Sequence, residues 1–509
     1  MSTARGSPGF AVRVFRGDVS CSTGRVPLRS SPRRAPRAAS SDRPPGDRGT
    51  EKARRRGVPH SGYHRTVGAR RPFFEGWYFR VTLPEERDNL SLIYHVYDPD
   101  LRDSPRRAAG AQVCTPGGGY LFRESGDVDA FAAAPHALVL RMPMGRSDAA
   151  NEADETDEET DTFFEVLADG RRHRGRLVAS TTREDESIWP SAKRVETVAW
   201  DFSVSVQAGF GARGEGTGET SKQKHASTAG WMSALPVFEP HYQILMAHGL
   251  ATGHVTVDGT RTEFADAPAY AEKNWGGAGF PSKWFWTQCN AFPSAPGVSV
   301  TATGANRGVV LLPGMREEVA GIFIHVPAGT GSNPSEEGET SDAESKTTAL
   351  YRFLPIRAGD EEPAEITWSV APWGSWRVSA KTSTHECVVS CCIDPADAQP
   401  GDTTVLRAPV DDHRRGVEPS CRESFRGRMT VSLWERKGNG WGSGARGRAV
   451  LNAVVSDVAA VEVGGGPWDD TWEGTAEMRE PLSTLAGANV DVHAVAEFFA
   501  PLGDVAPGL

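Results

Sequence analysis

Short segments in which apolar and polar residues alternate recur along the chain, each closed by Gly, Pro, Asp or Asn, and this constrains the fold more than any other feature. They fall at 76–83, 91–97, 196–206, 243–258, 283–292, 298–303, 366–370, 376–380, 429–436 and 449–463. A period of two sends successive side chains to opposite faces of an extended strand. Strands at this spacing, joined by turn-forming residues, predict antiparallel sheet, closed or sandwiched. A helical period shows only near 481–488 and 490–499. A length of 509 residues exceeds one ordinary core, so two folded units are expected. The reading is all-β: a first half over 59–230, a second over 231–509 that carries most of the motif residues, and a short helical C-terminal segment.

Polar inserts account for a mean hydropathy of −0.42. Residues 148–161 form an acidic run too charged to bury, and 207–228, 328–348 and 394–417 are rich in Gly, Ser, Thr, Pro or acid. These read as hairpin loops grown long, because added loop length costs little stability. The first 58 residues differ again, with 14 Lys and Arg against 4 Asp and Glu and abundant Ser, Ala and Pro. Arg- and Ser-rich, acid-poor composition without an apolar run is the pattern of an organelle transit peptide, the plainer alternative being a basic tail. The remainder holds 42 basic and 62 acidic residues, a net charge of −20, which argues against nucleic-acid binding. No run reaches the ~18 apolar residues of a membrane-spanning helix. Seven scattered cysteines, without a CxxC pair, point to a reducing compartment rather than a disulfide framework or a zinc ribbon.

Chemistry-bearing residues concentrate between 238 and 290. If 283–290 is a strand, Trp284, Trp286, Gln288 and Asn290 share one face: two indoles and two amides suit a cavity wall of apolar bulk with few polar groups. Glu239, His241 and Gln243 share a face if extended, Asp266, Glu272 and Lys273 follow, and Trp77 lies beside Glu75 near the N-terminal end. Singly, each has a bland reading. A strand Trp is most often core, a Glu or His beside aromatics is most often a satisfied polar group, and Lys273 could simply pair with Glu272. Their coincidence is what favours a cavity. Other chemistries lack their spacing: Gly209, Gly211 and Gly214 form a GxGxxG inside a polar insert without a βαβ unit, and GxxxxGK[ST], HExxH and GxSxG are absent. His241 and His248 are seven apart and make no metal pair by themselves.

Six motifs in order, PFFEGWYFRV (72–81), FEPHYQ (238–243), DAPAYAEKNWG (266–276), FPSKWFWTQCN (280–290), APWG (371–374) and EVGGGPW (462–468), resemble the tocopherol cyclase family. The likeness runs from about residue 70 to the closing APGL at 506–509, and the EKNWG segment alone would also admit related carotenoid hydratases. Tyr242 stands where the family pattern suggests Trp. The resemblance implies two lipocalin-like β-barrel or sandwich halves. It further implies a plastid address on lipid droplets or the envelope, a prenylated benzoquinol substrate, and neither cofactor nor metal.

Chromanol closure is an isomerisation that begins by protonating a trisubstituted alkene, which requires a buried carboxyl kept protonated. The tertiary cation must be shielded from water and faced by aromatic rings, each worth roughly 0.5–2 kcal/mol. On the resemblance, Asp266 or Glu272 is the expected proton donor, with Glu239 third and His241 either a proton relay or the acceptor of the phenol proton. Trp77, Tyr242, Trp275, Trp284 and Trp286 would surround the substrate, and Gln288 and Asn290 would orient the quinol hydroxyls. The competing readings are a hydratase, whose product is one water heavier, and a non-catalytic prenylquinone carrier.

Overall fold

The computed structural model describes residues 60–65, 72–146, 161–179, 193–211, 227–229, 239–277, 279–309, 312–330, 348–357, 362–398, 403–409, 416–438, 444–466 and 468–476. The described residues hold 23 strands and a single turn of 3-10 helix at Val128–Ala130. The first sheet has twelve strands. They are β1 (Phe74–Leu83), β2 (Asp88–Tyr97), β3 (Ala108–Thr115), β4 (Gly119–Ser125), β5 (Ala132–Ala133) and β6 (Leu140–Arg146), then β7 (Asp161–Leu167), β8 (Arg172–Val178), β9 (Lys193–Arg194), β10 (Thr197–Ala208), β11 (His241–Val257) and β12 (Thr260–Gly276). The second has eleven. They are β13 (Lys283–Cys289), β14 (Ser299–Val309), β15 (Leu312–Pro327), β16 (Thr348–Phe353), β17 (Glu365–Val370) and β18 (Ser375–Lys381), then β19 (His385–Cys392), β20 (Thr404–Pro409), β21 (Val417–Arg436), β22 (Arg446–Gly464) and β23 (Trp472–Thr475). Pairing is antiparallel except between β4 and β9. The all-β expectation of two antiparallel halves therefore holds.

Each sheet surrounds a core of its own, and a third core lies where the sheets meet. Trp77, Phe79, Tyr94, Phe164, Trp200 and Phe202 belong to the first; Phe285, Ile322, Trp368, Trp376, Val431 and Trp472 belong to the second. The third draws on both sheets, with Tyr270 and Ile244 facing Trp284, Trp286, Phe323 and Ala460. Strand alternation produces this division directly. Along β13, Phe285 and Cys289 enter the second core while Trp284 and Trp286 enter the third. Both faces of the central strands are thus buried, which is why they carry so little exposed polar sequence.

Three expectations shift. The first sheet continues through β11 and β12, so the sheets divide after Gly276 rather than at 230. The stretch 394–417 is not wholly loop, because β20 lies inside it and pairs with β21. Lys273 does not pair with Glu272, since consecutive strand residues face opposite ways; it pairs with Glu75. Both the N-terminal segment 1–58 and the expected C-terminal helix lie outside the described residues.

Candidate active site

Between the two sheets lies a cavity of about 280 Å³. The first sheet contributes Tyr78, His241, Tyr242 and Glu272 to its wall, and the second contributes Trp284, Trp286, Phe323, Cys421 and Glu462. β12 places Glu272 by alternation, with Tyr270 on the same face and Lys273 on the other. Three donors converge on a single oxygen of this carboxyl. Tyr242 Oη donates to Glu272 Oε2 at 2.6 Å, Tyr270 Oη at 2.7 Å and Trp286 Nε1 at 3.1 Å. None of the described residues donates to Oε1. A proton on this carboxyl therefore belongs on Oε1, because Oε2 is fully occupied as an acceptor. Burial raises the group to about 7 despite those donors, so a large fraction is protonated at neutral pH.

A second carboxyl faces it from the other sheet. Trp284 Nε1 donates to Glu462 Oε1 at 2.6 Å, and burial raises this group to about 7 as well. The two indoles that alternate along β13 thus each hold one glutamate, one belonging to each sheet. Glu423 stands directly opposite Glu462 across the β21–β22 ladder, and Tyr78 Oη donates to its Oε1 at 3.0 Å. Burial and the neighbouring Glu462 push Glu423 well above the carboxylate range. Arg80 partly opposes that shift; its guanidinium donates to Gln288 Oε1 at 2.9 Å and to the Val458 carbonyl at 2.6 Å.

The expected site residues scatter more than the sequence suggested. Glu272, His241, Tyr242, Trp284 and Trp286 line the cavity. Asp266 does not: it is exposed, at a φ of 51°. There the β11–β12 register shifts and the Asp266 amide donates to Thr252 Oγ1 at 3.1 Å. A bulge of this kind breaks the alternation and turns the carboxyl to solvent. Glu239 is spent on the backbone, its Oε2 accepting from Gly277 N at 2.6 Å. Trp77 faces the first core. Gln288 is taken by Arg80, and Asn290 Nδ2 donates to the Ala269 carbonyl at 2.8 Å. Both amides bond across the junction of the sheets, and neither lines the cavity.

Trp275 belongs to a separate polar cluster at the end of the first core. Its ring stacks on His64 with centroids 4.1 Å apart and on His241 at 5.1 Å. Lys273 Nζ lies 5.0 Å from the Trp275 ring, donates to the Gly62 carbonyl at 2.7 Å, and pairs with the fully buried Glu75. Burial raises the Glu75 carboxyl, but Lys273 and His64 outweigh it and hold the group below its ordinary value. Sequence reasoning missed Glu462, Glu423 and Tyr270. One signal was available: Glu462 is the lone charge in the run VAAVEVG at 458–464, and a charge in a doubly buried strand requires a partner or a role.

Two largely antiparallel sheets with a cavity between them, lined by buried carboxyls raised above their ordinary range, define an all-β protein with an acid-lined cavity. The chain belongs to the tocopherol cyclase-like family, whose sequence model matches residues 71–332 and 345–465. It is 34% identical over 455 residues to the probable chloroplastic tocopherol cyclase of Oryza sativa subsp. japonica, covering 86% of this chain and 85% of that one. The chloroplastic tocopherol cyclase of Zea mays is also 34% identical over 455 residues, with 86% and 84% covered. Both relatives are chloroplastic, which supports a plastid localisation here. A solved kievitone hydratase from Nectria haematococca aligns with 81% of this chain and 98% of its own at 10% identity and a TM-score of 0.27.

Proposed function

We propose that the chamber closes prenylated benzoquinols to chromanols, the reaction for which its curated relatives are named, with Glu272 as the acid. The observation that carries this is the convergence of three donors on Glu272 Oε2. It leaves the acid proton on the other oxygen of a carboxyl that lines the cavity. Protonating the alkene CH puts positive charge on the adjacent tertiary carbon, and the phenol oxygen captures it. Trp284, Trp286, Tyr78 and Phe323 exclude water and offer aromatic surface to the cation. Holding the phenol beside that carbon supplies several kcal/mol through proximity. His241 lies at the margin, stacked on Trp275, and is a relay at most. The substrate resides in lipid, so the protein works peripherally on plastid lipid droplets or the envelope; among the described residues no helix is long and apolar enough to cross a membrane.

Incubating the full chain with phytyl benzoquinol in deuterated water tests the reading. The expected product is an isomer of its substrate with one deuterium in place of a hydrogen, carried on the ring carbon derived from the alkene CH. Glu272→Gln should lower kcat by about 10²–10⁴, while Asp266→Asn stays near wild type. A product one water heavier would make this a hydratase, and full activity in Glu272→Gln would remove Glu272 as the acid.

A further inference from the structure

The chamber holds more acid than a single protonation needs. Glu272 enters from the first sheet and Glu462 from the second, and both line the same cavity. Each is fixed by an indole N–H from one strand, Trp286 for Glu272 and Trp284 for Glu462. A substrate lying between the sheets is therefore flanked by two carboxyls, one on each side. Ring closure makes two proton demands: one proton enters at carbon, and another leaves the phenol oxygen. Glu272 could serve both only if its Oε1 reached both atoms during closure, because Oε2 is already occupied by three donors.

Resting on the cyclase reading, we propose that Glu462 is the second catalytic group, accepting the phenol proton as the carbon–oxygen bond forms. In the resting state Glu272 is the acid and Glu462 the carboxylate. The Glu272 O–H bond breaks and a C–H bond forms at the alkene CH. The phenol oxygen bonds to the tertiary carbon while its O–H bond breaks toward Glu462. No electrons are exchanged and substrate and product are isomers. The enzyme is left with the proton on the other glutamate, and one transfer back to Glu272 resets it.

The surroundings favour this single-proton state. The two carboxyls interact repulsively, with Glu462 raising Glu272, so ionising both is costly and sharing one proton is cheap. The other titratable groups around Glu462 are Cys421 and Glu423 on β21 and Cys114 on β3. Burial raises both thiols well above their ordinary range and keeps them neutral. Glu423 is raised as well, with Arg80 on β1 partly opposing the shift. Of this group Cys421 and Glu462 line the cavity, and Glu462 is the carboxyl that faces it opposite Glu272, with Trp284 and Cys421 lowering its proton affinity.

The test is the pH dependence of kcat and KM for wild type, Glu462→Gln and Glu462→Asp with phytyl benzoquinol. Gln at 462 can still accept from Trp284, so the wall should keep its shape. Wild type should give a bell centred near neutrality, reporting the pair rather than either residue. In Glu462→Gln, kcat should fall at least about 30-fold with KM within about threefold. Its acid limb should vanish, leaving a rate that declines only toward high pH. Glu462→Asp should restore that limb at reduced rate, which covers the case in which the Gln variant folds poorly. An unchanged bell in Glu462→Gln, or a raised KM with kcat intact, overturns the assignment while wild-type chromanol formation leaves the cyclase reading standing. A wild-type chain that makes no chromanol overturns the reading and this assignment together.

Discussion

Glu75 and Lys273 show what a buried charge needs at the level of single residues. Both side chains are fully buried and paired, with His64 Nδ1 3.0 Å from Lys273 Nζ and the His64 amide donating to Glu75 Oε2 at 2.9 Å. These contacts tie residues 60–65 to the end of the first sheet. Lys273→Met would strand an ionised carboxylate without its cation, a loss of about 3–5 kcal/mol. Adding Glu75→Gln should recover part of it, because the uncompensated charge goes too. Chemical denaturation of the three variants measures this, and a double variant no better than Lys273→Met would contradict it. At Glu272 the same burial acts without a cation, so the carboxyl keeps its proton instead.

At the scale of the strand, glycine and aromatic positions are matched across ladders. Gly175 faces Trp200, Gly304 faces Phe285, Gly464 faces Trp284 and Gly474 faces Trp368, each pair directly opposite on neighbouring strands. In every case a Cβ on the glycine would overlap the ring. The missing side chain is what lets a large ring lie flat over the neighbouring strand. Gly464 matters most, because the ring it admits is the one that donates to Glu462. Gly464→Ala should cost about 1–3 kcal/mol through overpacking and depress chromanol formation by moving Trp284. Gly308→Ala, where a Cβ meets nothing within 4 Å, is the control. Thermal unfolding and tryptophan fluorescence compare the two, and equal behaviour would refute the packing account.

At the scale of the whole molecule, the cavity lies at the junction of the two sheets. Arg80 to Gln288, Asn290 to Ala269, Tyr78 to Glu423, Thr301 to Tyr270 and Trp286 to Glu272 all cross it. Placing protonated carboxyls there makes stability depend on pH in a definite direction. Glu272 and Glu462 are raised from 4.5 to about 7 in the folded chain. Between those values the folded state holds protons that the unfolded state has released. Stability is therefore greatest below about 4.5 as far as these groups are concerned, and falls as pH rises toward 7, by on the order of 3 kcal/mol per group. Glu75, held low, works oppositely and loses its contribution only in acid. His60, His64, His173, His248 and His325 are held low by burial and act in the opposite direction up to about pH 6.5. The glutamate effect is therefore read as a difference: the Tm of wild type relative to Glu462→Gln should fall from pH 5 to pH 8, and a difference independent of pH would show Glu462 ionised in the fold across that range.

Alternation in the sequence was enough to locate strands, and with them the face of β13 that carries Trp284 and Trp286, because side-chain direction in a strand depends on parity alone. It says nothing of Asp266, expected from the resemblance, which a bulge leaves exposed. Nor does it separate Gln288 and Asn290 from the indoles whose face they share, although they lie where the sheets touch and not on the cavity. An all-β chain, its family, and a wall of paired indoles with a glutamate nearby were legible in the residue order. Which acids share the chamber was settled by the fold. Trp284 and Glu462 stand 178 residues apart and meet through the pairing of β13 with β22, a register set by packing across the whole sheet and written in no local pattern.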